Sequence, residues 1–126
     1  MRVLTATEDY LETILRISKE KTNIRAMDIV NHTGYARATV SIALRQLKES
    51  GYIVSDNNRF IQLTDKGNEI AMRTHARHML LENFLIAIGV DEETAYADAC
   101  ILEHGISEES VERLEQFYQQ NFTKNS

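Results

Sequence analysis

The stretch of sequence that decides the fold is residues 26–63, AMDIVNHTGYARATVSIALRQLKESGYIVSDNNRFIQL. Its first part predicts two helices, a short one over about residues 26–32 and a longer one over residues 37–50, because apolar residues recur at helical spacing in both. Gly34 lies between them and favours a tight turn. The stretch therefore begins as a helix-turn-helix.

The second part of this stretch predicts a β-hairpin. Two short apolar runs, Tyr52-Ile53-Val54 and Phe60-Ile61-Gln62-Leu63, flank the polar tip Ser55-Asp56-Asn57-Asn58-Arg59. Upstream, Thr7 is placed to cap a helix that ends near Lys21. Helix, helix, turn, helix and hairpin, in this order, predict a winged helix-turn-helix.

The rest of the chain predicts helices only. Thr64 is placed to cap a long helix that ends near Ile88, a fifth helix is predicted over about residues 92–104, and a last one begins at Ser107. The fold class is therefore mainly α, with an N-terminal winged helix-turn-helix over residues 1–66 and a helical domain over residues 67–126. The last helix is expected to bury Val111, Leu114 and either Phe117 or Tyr118, and the polar tail 121–126 is expected to fray.

The composition restricts the class of protein. Of the 126 residues 43% are hydrophobic, which suffices for a core, yet no apolar run approaches the roughly 18 residues of a membrane span and no signal peptide is evident. A single cysteine cannot form a disulfide framework, so a cytoplasmic protein without a membrane partner is expected. The net charge is +2 over residues 1–66 and −7 over residues 67–126. This division suggests two separate tasks.

The helix-turn-helix provides the candidate contacts to double-stranded DNA. The second helix of this motif enters the major groove with its N-terminal residues facing the base edges, and a basic wing tip can reach the flanking backbone. Thr39 and Ser41 can equally be ordinary solvated helix residues. The candidate DNA-binding residues are Arg25, Arg37, Thr39, Ser41, Arg45 and Arg59.

Metal-ligand donors fall on helical faces in three places. Mixed carboxylate, imidazole and thiolate donors suit a first-row divalent ion better than Mg²⁺ or Ca²⁺. A lone cysteine is also a common core residue, and an acid in a first helical turn can simply stabilise the positive end of its helix. The donors that share faces are Asp9 with Glu12, His78 with Glu82, and Cys100 with Glu103 and His104.

Three motifs resemble the diphtheria-toxin-repressor, or iron-dependent repressor, family of metalloregulators. They are Thr7-Glu8-Asp9-Tyr10-Leu11-Glu12-Thr13-Ile14, Arg77-His78-Met79-Leu80-Leu81-Glu82 with Gly89-Val90-Asp91, and Asp98-Ala99-Cys100-Ile101-Leu102-Glu103-His104. The resemblance covers nearly the whole chain. It implies a homodimer with a helical dimerisation domain and metal-activated binding to promoter DNA. The length is similar to that of the short branch, the manganese transport regulators.

The resemblance also implies a ligand set. It assigns the metal to Asp9, Glu12, His78, Cys100, Glu103 and His104. Asp9 resembles the manganese regulators, whereas Cys100 resembles the iron regulators. The ancillary site of the iron regulators would use His78 and Glu82 together with a histidine, and this chain has Tyr96 at the position of that histidine. A thiolate raises affinity for Fe²⁺, Co²⁺ and Zn²⁺, whereas carboxylates favour Mn²⁺. The metal is expected to be Fe²⁺ or Mn²⁺, with a slight preference for Fe²⁺, and Co²⁺, Ni²⁺ or Zn²⁺ are possible substitutes.

The function that these patterns predict is a dimeric, metal-dependent transcriptional repressor of metal-uptake genes, not an enzyme and without a small-molecule substrate. A metal shared by both domains would select dimers whose recognition helices are spaced about one DNA turn, roughly 34 Å, on a palindromic operator. One alternative is a winged-helix regulator that needs no metal. The other is a small metalloenzyme, in which an open coordination position activates water.

Overall fold

The computed structural model describes residues 5–122 and divides the chain into two compact units, Met1–Arg73 and Thr74–Ser126. The two strands pair antiparallel, and the remaining elements are helices. None of the described helices is long and apolar enough to cross a membrane. In chain order the elements are α1 (Thr5–Ser18), α2 (Ala26–Thr33), α3 (Arg37–Glu49), β1 (Ile53–Ser55), β2 (Ile61–Leu63), α4 (Asp65–Ala87), α5 (Glu92–Leu102) and α6 (Glu108–Asn121).

The predicted element order is confirmed, with corrections at helix ends, two of them in α1. Thr7 lies inside α1 and is not its cap, because the helix already includes Thr5. The same helix ends at Ser18 and does not reach Lys21. A turn follows the helix, in which the backbone N–H groups of Glu20 and Lys21 donate hydrogen bonds to the carbonyl of Ile17. Apolar periodicity located the helix correctly, whereas a threonine near its start was a weak indicator of the boundary.

The first unit is held together by one apolar core. Leu11 and Ile14 of α1, Ile29 of α2 and Val40 of α3 are all at most 1% exposed. They alternate with exposed residues at helical spacing, so each helix presents one apolar face to the others. The remaining buried members of this core are Tyr10, Ile17, Ile24, Leu44, Leu47, Ile53, Ile61, Ile70 and Ala71.

The turn between α2 and α3 depends on Gly34. Its φ of 78° lies in the left-handed region, and its N–H donates to the carbonyl of Val30, which closes the last turn of α2. A residue with a Cβ is disfavoured in this conformation, which is why helices commonly end with glycine here. The turn sets the direction in which α3 leaves α2.

The hairpin is short, and its tip is ordered by one aspartate. Ile53 pairs with Leu63 and Ser55 with Ile61, while the Asp56 carboxylate accepts hydrogen bonds from the backbone N–H groups of Asn58 and Phe60. Arg59 in this tip has a φ of 65°, the one positive value at a non-glycine residue among residues 5–122. That conformation costs about 1 kcal/mol or more for a side chain with a Cβ.

The hairpin contacts its neighbours on both sides within the first unit. Ile61 donates its N–H to the carbonyl of Ile24 at 2.7 Å, which joins β2 to the α1–α2 loop. At the start of α4, the Thr64 hydroxyl donates to the carbonyl of Gly51 and accepts from the N–H of Gly67. A Cβ at Gly67 would collide with the carbonyl of Tyr52. The wing is therefore fixed to the helices around it.

The second unit is built from the later part of α4 with α5 and α6. Asp91 caps α5, with its carboxylate accepting from the N–H groups of Glu93 and Thr94. Ser107 caps α6 through a hydrogen bond from the N–H of Ser110. Both caps follow the usual preference for short polar side chains. The fully or nearly buried apolar residues of this unit are Leu80, Leu81, Ala95 and Ala99.

The burial expected for α6 is wrong in part. None of its residues is fully buried: Val111, Leu114 and Tyr118 are half-buried, and Phe117 is 51% exposed. The ring of Phe117 instead lies 6.1 Å from that of Phe84 on α4, within an aromatic cluster. Part of the tail, residues 123–126, lies outside the described residues.

Candidate metal centre and nucleic-acid interface

His78, Cys100 and Glu103 form a compact group of metal-ligand donors in the second unit. One donor atom from each lies within 4.8 Å of the other two. His78 is 1% and Glu103 2% exposed, and Cys100 is half-buried. Burying an imidazole and a carboxylate together costs free energy unless they are paired or bind an ion. The group is therefore the strongest candidate for a site in the described part of the chain.

Two helices bring these donors together. His78 lies on the buried side of α4, while Cys100 lies in the last turn of α5 and Glu103 caps that helix with its N–H bonded to the carbonyl of Ala99. The helix ends at Leu102, so the expectation that it continues to His104 is wrong by two residues. Cys100 and Glu103 still share a face because Glu103 keeps a helical backbone conformation. His104 follows in the turn and is half-buried.

The ring of His78 is held from several sides. Its Nδ1 lies 3.4 Å from Oε1 of Glu103 and 3.9 Å from Sγ of Cys100. Its Nε2 lies 2.9 Å from Oε1 of Glu82, the i+4 neighbour on α4. Tyr96 packs against the ring with centroids 4.9 Å apart at 70°. The imidazole is thus fixed in orientation, with Nδ1 towards the other two donors.

The donor set fits a first-row divalent ion. Metal–ligand bonds are about 2.0–2.1 Å for nitrogen and oxygen and about 2.3 Å for sulfur, so ligands of one ion lie within roughly 4.5 Å of each other. The 4.8 Å spread of His78, Cys100 and Glu103 requires only small side-chain shifts to meet that limit. One imidazole, one thiolate and one carboxylate leave room for further ligands.

Two further predicted ligands, Asp9 and Glu12, lie on α1, in the first unit. Asp9 is exposed, whereas Glu12 is 5% exposed and forms an ion pair of 2.8 Å with Arg16. Asp9 and Glu12 are three residues apart on this helix, as expected. Their role as ligands stays a prediction of the sequence.

The recognition helix α3 presents a polar face. Arg37, Ser41 and Arg45 are exposed and recur every four residues, while Val40 and Leu44 on the adjacent side are buried. This is the arrangement that a helix needs to pack on its own domain and reach into a DNA groove. Thr39 does not share that face: it lines a pocket of about 400 Å³ between α1 and α3 with Asp9, Tyr10, Thr13, Tyr35 and Gln46 among others.

A basic groove lies between the start of α2, the recognition helix and the wing. It has a volume of about 570 Å³, and four of its lining residues are cationic: Arg25, Arg45, Lys48 and Arg59. Lys48 is not among the DNA-binding residues that the sequence predicts. Its spacing of three residues from Arg45 on the exposed face of α3 was the signal that could have found it.

Arg25 is held in place at the rim of this groove. Its guanidinium lies over the ring of Phe60 at 4.7 Å from the centroid, a cation–π contact. Its backbone N–H donates to the carboxylate of Asp28, which also pairs with Lys21 at 2.9 Å. The N–H of Arg25 and the Lys21 ammonium hold the pKa of the Asp28 carboxyl below its usual value. These contacts connect the α1–α2 loop to the wing.

The winged helix-turn-helix with a basic groove, together with a buried His–Cys–Glu group in a separate helical unit, defines the class as a DNA-binding metalloregulator. Two family profiles match this chain. The profile described as "Iron dependent repressor, N-terminal DNA binding domain" matches residues 2–59, and "Iron dependent repressor, metal binding and dimerisation domain" matches residues 64–124. The chain belongs to the iron-dependent repressor family, whose members are metal-dependent DNA-binding transcriptional repressors.

Individual relatives agree with this assignment. The HTH-type transcriptional regulator MntR of Shouchella clausii (strain KSM-K16) is 38% identical over 120 residues, covering 93% of this chain and 84% of that protein. The structure of the metal-dependent transcriptional regulator MtsR superposes with a TM-score of 0.83 at 27% identity, and that of the manganese regulator SloR with a TM-score of 0.79 at 28% identity. Both alignments cover 90% of this chain and 53% of the solved chain, so this chain spans about half the length of those two.

Proposed function

We propose that this protein is a cytoplasmic, non-enzymatic repressor of metal-uptake genes that binds its operator when Fe²⁺ or Mn²⁺ is plentiful. The observation that carries the proposal is the His78–Cys100–Glu103 group, with its imidazole and carboxylate buried, in the domain that the family profile describes as metal-binding. The division of tasks follows the charge division of the chain. Residues 1–66 contact DNA, and residues 67–126 bind metal and form the homodimer.

His78, Cys100 and Glu103 are the ligands that the geometry supports, through Nδ1, Sγ and a carboxylate oxygen. Asp9, Glu12 and His104 complete the set that the sequence predicts. A bound divalent ion contributes positive charge and directional bonds at this point, which offsets the cost of burying the acid and the thiolate. The chain supplies mixed hard and soft donors, so it discriminates among first-row metals by ligand type.

The mixture of hard and soft donors limits the choice of metal to two main candidates. Regulators named for manganese are among the relatives, and carboxylates favour Mn²⁺. The thiolate of Cys100 raises the affinity for Fe²⁺, Co²⁺ and Zn²⁺. We therefore propose Fe²⁺ or Mn²⁺ as the physiological metal, with a slight preference for Fe²⁺. Co²⁺, Ni²⁺ and Zn²⁺ can substitute for it in the site.

The DNA-binding residues divide into two groups. Arg37 and Ser41 lie near the start of α3, where base edges are read, and Thr39 is kept as a further candidate on the neighbouring face. Arg25, Arg45 and Arg59 line the basic groove, where phosphates are the natural partners. A twofold dimer presents two such surfaces, which matches a palindromic operator.

The deciding experiment measures the affinity of the full chain for promoter DNA with each divalent ion in turn and with a chelator. We expect tight binding only with metal, with the largest increase for Fe²⁺ or Mn²⁺. The matched control is a Cys100→Ser, Glu103→Gln double variant, in which DNA affinity with metal should fall to the chelated level. Equal affinity with and without metal would instead identify a metal-independent winged-helix regulator.

A further inference from the structure

The ring of His78 lies between two acids, and in its neutral form it cannot donate to both. Nε2 lies 2.9 Å from Oε1 of Glu82, and Nδ1 lies 3.4 Å from Oε1 of Glu103. A neutral imidazole carries one N–H, so only one nitrogen donates a hydrogen bond and the other has a lone pair. The lone pair is what binds a metal ion. The position of one proton therefore decides which side of His78 is available as a ligand.

The contact with Glu82 is the one that local geometry enforces. Glu82 follows His78 by four residues on α4, so the two side chains are neighbours on the helix surface. At 2.9 Å the distance is that of an ordinary N–H···O hydrogen bond, whereas the 3.4 Å to Glu103 is longer than the usual range. In the neutral ring these distances favour the proton on Nε2. The Nδ1 lone pair then faces Glu103 and, at 3.9 Å, the sulfur of Cys100.

Tyr96 limits the ring from a third direction. It lies on α5, four residues before Cys100, and packs edge-on against His78 with centroids 4.9 Å apart. A phenol is not among the imidazole, thiolate and carboxylate ligands that first-row divalent ions commonly take in proteins. Glu82 and Tyr96 therefore hold the ring of His78 in place. Together with His78 they do not form a binding site for a second ion.

We propose that Glu82 is a positioning residue for the metal centre: it accepts the Nε2–H of His78, presents Nδ1 to the ion, and does not bind the ion itself. This inference rests on the proposed function, since it takes the His78–Cys100–Glu103 group as the metal site. A carboxylate behind a ligating histidine fixes the ring and makes the metal-facing nitrogen more basic. The 22% exposure of the Glu82 side chain lets water solvate its second oxygen.

The test compares Co²⁺ binding to the full chain and to three variants by calorimetry. Glu82→Leu removes the acceptor and keeps a good helix former, Glu82→Gln keeps an acceptor oxygen, and Glu69→Gln alters an exposed glutamate of the same helix as a control. We expect the same number of ions per chain throughout. The affinity should fall about 10–100-fold in Glu82→Leu, less in Glu82→Gln, and not at all in Glu69→Gln.

Two outcomes of this titration would overturn the proposal. If Glu82→Leu lost one bound ion per chain, Glu82 would be a ligand. An affinity within twofold of the unaltered chain would show that Glu82 does not influence the site. Thermal unfolding of each metal-free variant identifies any loss that comes from the fold, and Glu82→Gln keeps the test available if Glu82→Leu does not fold.

A second readout separates this proposal from the proposed function. Nitrogen NMR of the metal-free chain, at a pH at which the His78 ring is neutral, reports its tautomer, and we expect the proton on Nε2 in the unaltered protein and a mixture of tautomers in Glu82→Leu. A proton on Nδ1 in the unaltered protein would refute the positioning role. If the Cys100→Ser, Glu103→Gln double variant bound Co²⁺ as tightly as the unaltered chain, the proposed metal site would fail instead, whatever the tautomer.

Discussion

Cys100 places a soft donor beside the harder donors His78 and Glu103. It is the single cysteine of the chain, so any sulfur signature of a bound metal must come from it. A Co²⁺ complex with a thiolate ligand absorbs in the near ultraviolet through charge transfer. This residue therefore offers the most direct test of the proposed ligand set.

We predict that Cys100→Ser abolishes the Co²⁺ charge-transfer band, because a hydroxyl replaces a thiolate poorly as a ligand. The same variant should bind Co²⁺ and Zn²⁺ about tenfold more weakly or worse, since these ions favour sulfur, and the effect on Mn²⁺ should be smaller. Cys100→Glu should shift the preference towards Mn²⁺, since it makes the donor set harder. Absorption and competition titrations measure both effects. Identical Co²⁺ spectra with and without the thiol would show that Cys100 only packs in the core.

Asp28 is a residue whose charge supports the fold at the start of α2. Hydrogen bonds from the Arg25 N–H and the Lys21 ammonium lower its pKa in the folded state. A lowered folded-state pKa means that the ionised carboxylate stabilises the fold above the unfolded-state pKa of about 3.9. That stabilisation is lost as the pH falls through the lower folded-state pKa.

We predict that Asp28→Asn lowers the free energy of unfolding at pH 7 by on the order of 1 kcal/mol, and that the difference shrinks as the pH falls below the unfolded-state pKa of about 3.9. Urea denaturation of the metal-free chain at several pH values measures this. Lys21→Met is the comparison and should cost less, because its pair with Asp28 is exposed to water. A difference that did not change with pH would mean that Asp28 acts through something other than its charge.

At the scale of elements, α3 and the wing present different kinds of contact. Arg37 begins the exposed face of α3, whereas Arg59 lies at the wing tip and lines the basic groove with Arg25 and Lys48. A contact to a base edge carries sequence preference, and a contact to a phosphate carries salt dependence. The two elements are therefore distinguishable by mutation.

We predict that Arg59→Ala weakens binding to all DNA sequences alike and reduces the salt slope by about 0.9 per lost phosphate contact. Arg37→Ala should also narrow the difference between operator and unrelated DNA, by about 1–3 kcal/mol if it reads a guanine. Binding isotherms at several salt concentrations provide both slopes. Unchanged binding in both variants would refute the docking surface proposed for α3 and the wing.

Most elements were predictable because their signals are local. Gly34 and the periodicity of Val40, Leu44 and Leu47 were enough to place α2, the turn and α3. The site was predictable only in its local parts, such as the i,i+4 spacing of His78 and Glu82. Sequence spacing alone could not bring His78 to Cys100 and Glu103, since that contact depends on how α5 packs against α4. Only the resemblance suggested that these three belong together.

The errors have a physical cause too. The prediction that α6 buries either Phe117 or Tyr118 assumed that an apolar stripe is covered within one chain, yet Phe117 is 51% exposed and Tyr118 is only half-buried. Thr39 and Ser41 are both exposed on α3 but point in different directions, because two residues along a helix turn the side chain to another face, and both stay predicted DNA contacts. Patterns of residue type indicate an amphipathic face but not what covers it.

At the scale of the whole molecule, the apolar surface of the second unit agrees with a dimerisation domain. Ile101 is 73%, Leu102 44% and Ile88 58% exposed in a single chain. The sequence contains a surplus of apolar residues here that three short helices cannot bury, and a twofold pairing covers such a surplus. The residues predicted to supply it are Leu80, Leu81, Phe84, Leu85, Ile86, Ile101, Leu102, Ile106, Leu114 and Phe117, of which Leu80 and Leu81 are already buried within the chain.

We predict that the full chain sediments as a dimer at micromolar concentration. Ile101→Glu should raise the dissociation constant of the dimer by about tenfold or more, because it places a charge in a desolvated interface. Ile42→Glu, at an exposed isoleucine of α3, is the matched control and should remain dimeric. Analytical ultracentrifugation with and without metal measures this. A monomer under both conditions would contradict dimerisation through the second unit.

The left-handed backbone at Arg59 has a consequence for directed evolution of this protein. A glycine at this position removes the steric cost of a positive φ, which is about 1 kcal/mol. Arg59→Gly therefore raises the free energy of unfolding by that amount, minus the entropic stabilisation that glycine gives to the unfolded chain. The same change removes one of the four cations from the groove. Selection for thermal stability alone would therefore favour variants with lower DNA affinity. A library of thermostable variants must keep arginine at position 59.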